Sequence, residues 1–445
     1  METNVTDLKS RIAGQVVLPD DPQYEALRNG IAYAGSPAVV VLPESQADVA
    51  AAIGFARDHQ LRLTVRSGGH SQSGMSTNTG GMVIDLSCFN AIEVIDPARQ
   101  LVRLGAGVRW GDAAKALAEH GLAISSGDTN SVGVGGLTLG GGIGWLVRKH
   151  GLTIDSLEAV EIVTAEGRAL RVSEQEHPDL FWALRGGGGN FGVVTAFEFR
   201  AQPLKSVVGG MAIYDLAEAE SALTRWAEAM RRAPEALNST LVLFPGFGPQ
   251  VPAQLMVLLC YGGEDEAAAR QAIQPLLELG TLKNQTIQVK PYYAMLEEAA
   301  QPPGVKFVSQ NGFIKTLNAE VVAALAANYG RPGTPIIQIR SLGGAVARVS
   351  PAATAFAHRE YEAFVLAASF VPIDASAEQV AQKRAEIWGP LTPYASGAYV
   401  NFLTDASEGS VAAAYPSATY ARLASVKATY DPDNLFNQNH NIKPA

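Results

Sequence analysis

The chain has 445 residues, 47% of them hydrophobic and 17% charged, with 34 Lys and Arg against 43 Asp and Glu for a formal charge of −9. At about 150 residues per domain this is one large domain or two coupled ones, with apolar material for a sizeable core and a composition unlike that of a disordered chain. The acidity argues against a nucleic-acid binder and against docking on an anionic membrane.

The first residues, Met1 to Arg11, are polar and lack the basic start and apolar run of a signal peptide. Residues 38–42 read as a buried strand. Ser45 is placed to cap a helix in which Val49, Ala52, Ile53 and Ala56 recur at helical spacing as far as about His59. A strand at 61–65 completes a β-α-β unit that runs straight into Arg66-Ser-Gly-Gly-His70-Ser-Gln-Ser-Gly74. Strands are expected at 82–86, 91–94 and 101–104, a helix at 110–119, and, beyond the glycine-rich segment 127–144, strands at 157–164 and 193–199. After Pro203 the pattern changes. Helices at 217–232 and 267–279 interrupt strands at 240–244, 254–260 and 335–341, which fits an antiparallel sheet flanked by helices better than a second wound domain. The longest apolar run, near 364–373, is far below the ~20 residues of a membrane span. The tail from Ala418 reads as a helix stopped at Tyr430-Asp-Pro-Asp, then a polar Asn-rich segment expected to return to the first domain.

Cys88 and Cys260 are the only cysteines, so neither a disulfide framework nor a zinc cluster can be built. Two buried thiols in a reducing compartment are expected, and the protein is read as soluble and cytoplasmic.

Two glycine-rich stretches carry the chemistry. Consecutive glycines after a strand, at Gly68 and Gly69, fit either a backbone nest for an anion such as phosphate or a plain tight turn. Seven glycines between 133 and 144 would weaken any ordinary strand or helix, and suggest backbone pressed against a flat or elongated ligand. The literal G-x-G-x-x-G at Gly187, Gly189 and Gly192 follows a helix-like segment and precedes a strand, the reverse of a dinucleotide fingerprint, and is rejected. Walker A, H-E-x-x-H and G-x-S-x-G sequences are absent.

Five motifs in order, the Val65–Gly74 loop, the 127–144 segment, Asp179–Thr195, Tyr399-Val-Asn401 and Tyr430–Phe436, resemble the berberine-bridge-enzyme-like group of FAD-linked oxidases in the vanillyl-alcohol oxidase/PCMH superfamily. The resemblance spans essentially the whole chain. It implies an α+β fold: a PCMH-type FAD-binding domain over 1–205, a substrate domain with an antiparallel sheet flanked by helices over 206–407, and a C-terminal segment, 408–445, returning to the FAD domain. It implies FAD bonded through its 8α carbon to His70, and a neutral imidazole is a competent nucleophile for such a bond. The other six histidines are expected at the surface or at helix ends.

Cofactor contacts implied by the resemblance are Arg66, Ser67, Gly68, Gly69, His70, Ser71 and Gly74 in the first loop. Thr129, Val132, Gly135, Gly136, Leu139, Gly141, Gly142 and Gly144 follow in the second, then Val194, and Asn439 and Asn441 in the tail. Thr129 stands where many relatives carry a second anchoring Cys, so a single histidyl linkage is expected, tilting away from oligosaccharide substrates. Leu137 replaces a frequent His. Val132 sits where Val accompanies reaction with O2.

Tyr399 is the implied base for a substrate proton while hydride passes to flavin, or else a positioning group. An unperturbed phenol titrates near ~10 and is a poor base at neutral pH. Asn401 is expected to bond flavin or substrate. Tyr292 and Tyr293 are read either as pocket lining or as a strand packed on both faces. The expected function is an oxidase, monomeric or homodimeric, that takes hydride from a small alcohol, amine or hydroxylated natural product and reduces O2 to H2O2. The alternative is a dehydrogenase or tailoring enzyme with another acceptor.

Overall fold

The computed structural model describes residues 2–445 apart from 32, 248–250, 299–301, 303, 328 and 330–332. Val39–Leu42, an unbroken aliphatic run, is a strand buried throughout. Ser45 Oγ accepts the Asp48 N–H and starts the helix Gln46–Asp58. The next strand, Leu63–Arg66, does not pair with the first. Met82–Asp85 lies between them, parallel to both, and Gln15–Val17 adds an antiparallel edge. The loop after Arg66 therefore leaves the carboxyl end of parallel strands, where α/β sheets bind ligands.

A second, antiparallel sheet joins Ile92–Asp96, Leu101–Gly105, Val193–Arg200, Leu157–Val163 and Ala169–Ser173 in that order. Val102, Leu104, Val160, Ile162, Phe197 and Phe199 are buried in the same core as the first sheet's Val39, Val41 and Ile84.

A third antiparallel sheet of nine strands lies between Val207 and Ser396. Alternation gives its faces different tasks. Leu241, Leu243, Ile337, Ile339, Val365 and Ala367 pack in one core with Leu223 and Trp226 of the helix Ala219–Arg232, Ile273 of Glu266–Leu277, Leu325 of Ala319–Ala327 and Ile387 of Ala377–Trp388. On the other face, Thr240, Arg340, Phe364 and Phe313 stand opposite one another strand by strand, and Val242, Gln338, Leu366 and Asn311 form the next row. No helix of the described residues is long and apolar enough to cross a membrane.

The helix Ser417–Tyr430 and the tail lie against the first core, which includes Leu423, Tyr430, Phe436 and Ile442. Lys427 and Asp431 form a fully buried ion pair at 3.0 Å. Lys427 Nζ also donates to the carbonyls of Asn190 and Phe436, while Asp431 accepts the N–H groups of Leu435 and Phe436.

Four local expectations are corrected. The glycine segment holds a short helix, Val134–Gly140, that ends where Gly141 takes φ +128°. Packing overrides propensity there: Val134, Thr138 and Leu139 are buried, and missing Cβ atoms let the helix press on its neighbours. Tyr292 and Tyr293 lie in a single 3-10 turn, Tyr292–Met295, led by Pro291, rather than in a strand; Tyr292 Oη meets Ser126 Oγ at 3.0 Å in the core. His358 is buried, stacked on Phe313 at 4.7 Å with Nε2 on the Ala414 carbonyl, and is not a surface residue. Cys260 is buried, but Cys88, next to the chain turn after Met82–Asp85, is only half-buried.

Candidate active site

Two loops from distant parts of the sequence are pressed together backbone to backbone. A Cβ on Gly68 would stand 2.3 Å from the Gly133 nitrogen, and one on Gly133 would stand 2.2 Å from the Gly68 nitrogen. Ser67 Oγ donates to the Ala106 carbonyl at 2.6 Å and accepts the Gly135 N–H at 3.3 Å, which locks the pair. Arg66 is spent within the protein: its guanidinium pairs with Asp85 at 2.7 Å and donates to the Asn29 and Leu27 carbonyls, holding the preceding chain. Ser71 Oγ accepts the Met75 N–H at 3.3 Å, and Gly74, at φ +76°, turns the loop under the Tyr33 ring.

Within 133–144 six of the seven glycines meet protein. Gly140 faces Asn401, Gly141 faces Phe356, Gly142 faces Thr153, Gly144 faces the Ser126 carbonyl, and Gly133 and Gly135 face the first loop. Gly136 alone among these seven is exposed with open space where its Cβ would be. The bare backbone at Gly136, the open position at Gly189, and the carbonyl oxygens of the Asn439 and Asn441 side chains, buried without partners, outline a cradle with unmet hydrogen-bonding capacity. A cleft of about 430 Å³ lined by Tyr33, Arg62, Ser73, Gly74, Asn78 and Asn439 continues it, a volume in the range of small-molecule sites. A long, flat dinucleotide, whose ring N–H and amino groups can donate to those oxygens, fits this lining and shape.

His70 leaves the first loop half-buried, its Nε2 2.8 Å from Ser131 Oγ. Ser131 Oγ in turn donates to Glu298 Oε2 at 2.8 Å. Burial holds the imidazole below its usual pKa, Glu298 opposes that shift and Arg109 reinforces it. Asp128 and Asn130 exchange backbone hydrogen bonds with Glu297, which brings Glu298 to Ser131. Thr129, between them, turns its hydroxyl onto Asp128 at 3.0 Å. Val132 is half-buried; Leu139 and Val194 are buried in the same core.

Tyr399 is buried at the meeting of the cradle and the third sheet. Its Oη accepts the N–H of Gly142 at 2.9 Å, that of Ile143 at 3.3 Å and the side-chain amide of Asn401 at 2.8 Å. Asn401 also donates to the Leu137 carbonyl at 3.1 Å, so both its amide hydrogens are committed. Asn311, across the sheet, accepts from the Tyr399 N–H and donates to its carbonyl. Burial pushes the Tyr399 phenol up to about 12, while the three donors pull the other way. Phe356, Phe364 and Phe402 surround the ring.

Beside Phe402, Arg340 pairs with Asp128 at 2.6 Å and donates to Gln338 at 2.9 Å, its guanidinium 5.0 Å above the Phe402 ring. Arg340 Nε and Asn238 Nδ2 are buried without partners and line a cavity of about 10 Å³, room for one small polar group. The structure thus gathers Tyr399, Asn401 and the 137–143 backbone at one point, and His70 with Ser131 at another. Sequence reasoning missed Glu298, Asn311, Asp128 and Arg340. Only Asp128 stands beside a recognised motif residue, and no local pattern marks the others.

Two family models match, "FAD binding domain" over residues 37–173 and "Berberine and berberine like" over 398–443. The chain is 33% identical to an FAD-linked oxidoreductase of Dictyostelium discoideum over 92% of this chain and 89% of that one. It is 30% identical to (R)-6-hydroxynicotine oxidase of Paenarthrobacter nicotinovorans over 97% of both chains. The crystal structure of 6-hydroxy-D-nicotine oxidase from Arthrobacter nicotinovorans superimposes with a TM-score of 0.86 at 29% identity, covering 98% of each chain.

Proposed function

The chain belongs to the berberine-like family of FAD-linked oxidoreductases, and on that premise we propose that it is an oxidase whose FAD is bonded covalently to His70. The observation that carries this reading is the placement of His70: half-buried at the end of a glycine loop, with burial holding its imidazole neutral and so nucleophilic. Residues 1–205 with the tail 408–445 hold the cofactor, and 206–407 roof it, in a cytoplasmic protein. Gly68, Gly69, Gly74 and Gly136, with Asn439 and Asn441, would contact FAD, which when bound supplies the hydride acceptor. Arg66 acts indirectly, by fixing the loop through Asp85.

Tyr399 orients a small alcohol, amine or hydroxylated aromatic and takes its proton as hydride leaves. To take that proton the Tyr399 oxygen must first be a phenolate, and the donors from Gly142, Ile143 and Asn401 converge on it and lower the cost of holding that charge in a buried site. Thr129 offers no thiol, so the attachment is single, and Val132 stands where a Val accompanies reaction with O2 in similar enzymes.

The test is flavin fluorescence on a denaturing gel. Wild type gives a fluorescent band and His70→Ala gives none; a dark wild-type band overturns the attachment. Reoxidation by air of the substrate-reduced enzyme in a stopped flow checks the oxidase assignment, and slow reoxidation assigns it to the dehydrogenases instead.

A further inference from the structure

We propose that Ser131 and Glu298 form a proton path that serves the attachment of FAD at His70, leaving Nδ1 as the bonding nitrogen and draining the Nε2 proton outward. The inference rests on the reading of His70 as the attachment point.

The chain of donors is fixed by what each group can do. A carboxylate only accepts, so the Ser131 hydroxyl hydrogen is directed at Glu298, 2.8 Å away. Ser131 Oγ is then free to accept, and His70 Nε2, also 2.8 Å away, is its donor. The imidazole is therefore held as the Nε2–H tautomer, with its lone pair on Nδ1. This is the arrangement by which a base and an orienting carboxylate activate a nucleophile, with the imidazole as the nucleophile.

The balance shows why a path is useful. Attachment replaces one C–H bond of the flavin 8-methyl group by a C–N bond to Nδ1. The methyl proton leaves to solvent, and the two electrons of the C–H bond reduce the flavin. Dioxygen, the oxidant, takes those two electrons and two protons to give hydrogen peroxide. A ring substituted at Nδ1 and still protonated at Nε2 is a cation in a half-buried loop beside Arg109, an unfavourable place for one. Passing that proton through Ser131 Oγ to Glu298 removes the charge. Glu298 is exposed and returns the proton to water.

The three residues come from separated segments, with Ser131 61 positions from His70 and 167 from Glu298. Their convergence depends on the backbone pairing of 128–130 with Glu297.

The experiment follows covalent flavin in the full-length chain, produced with little flavin, then incubated with FAD in air and acid-precipitated at intervals. Ser131→Ala and Glu298→Gln are expected to slow the fluorescent pellet at least tenfold, while both still bind FAD that acid releases. Ser131→Thr and Glu298→Asp are expected to restore most of the rate, because each keeps the donor or acceptor. Thermal melts of the variants without FAD check that each is folded. Variants that attach FAD at the wild-type rate overturn the path and leave the attachment standing. Folded variants that fail to bind FAD at all also overturn it, since the residues would then only shape the site. A wild type that releases all its FAD to acid overturns the attachment, and the path with it.

Discussion

The glycine cradle at 68–70 and 133–144 and the open face of the nine-stranded sheet meet at Tyr399, and they are made of different material. In the cradle, backbone packs on backbone. The Gly68–Gly133 contact leaves no room for a Cβ on either residue, and Gly144 lies against the Ser126 carbonyl. On the sheet, side chains from neighbouring strands stand in rows, and Arg340, Gln338, Asn311 and Asn238 present their polar groups. A site half built of main chain tolerates little change of volume, because backbone atoms cannot rotate away. The half built of side chains can be altered residue by residue, which is how one cofactor-binding frame serves different substrates.

Substitutions should expose that contrast, and the largest effect is expected in the cradle. Gly144→Ala would place a Cβ 1.5 Å from the Ser126 oxygen, and should destabilise by more than about 4 kcal/mol, read as loss of soluble protein or a collapsed melting temperature. If Gly144→Ala melts like wild type, the rigid-backbone account of the cradle fails. Next is the clasp that fixes the tail. Lys427→Met leaves Asp431 buried without its partner and should cost about 3–5 kcal/mol in a denaturant titration.

At the junction, Tyr399→Phe leaves the Gly142 and Ile143 N–H groups and the Asn401 amide without their shared acceptor, a cost of about 1–3 kcal/mol. It should also lower kcat with little change in bound flavin. An unchanged kcat would make Tyr399 a purely structural residue.

The tail adds a pH test. Burial lowers the His440 pKa from 6.5 to about 4, while its Nε2 meets the Asp405 carbonyl. Between those two values the unfolded chain binds the extra proton and the folded one does not. Stability from this group is therefore full above about pH 6.5, and is lost as pH falls toward 4, by roughly 1–3 kcal/mol. As pH falls through that window, melts of wild type should lose stability relative to His440→Gln, which carries no titrating group there.

The smallest effect on stability sharpens the comparison most. Gly136 is an exposed helical glycine with space for a Cβ, so Gly136→Ala should stabilise the flavin-free chain by up to about 1 kcal/mol. The same substitution should weaken uptake of FAD by the flavin-free chain before attachment, since its methyl enters the cradle. Unchanged uptake would show that no ligand lies against Gly136.

How much of this was legible follows the same division. The cradle announced itself, because backbone contact requires glycine and glycine can be counted: Gly68, Gly69 and the seven from 133 to 144 are visible in the sequence. What pressed on them was misread, since most of the 133–144 glycines meet Asn401, Phe356, Thr153 and Ser126 rather than open space. The helix over Val134–Gly140 was missed because propensity weighs residues one at a time and not the packing around them. Tyr399 and Asn401 were recognisable as a spaced motif; Asn311, Arg340 and Glu298 were not.

The linear order of residues determined the strands, the cap at Ser45, the stop at Tyr430 and the glycine loops, because propensity, periodicity and missing side chains act over a few neighbouring positions. Only the tertiary structure decided that Glu298 reaches Ser131, that Arg340 spends its charge on Asp128, and that Tyr399 Oη is held by three donors. Those contacts join segments up to hundreds of residues apart, and strand register and loop packing, which no local pattern encodes, set which side chains arrive together.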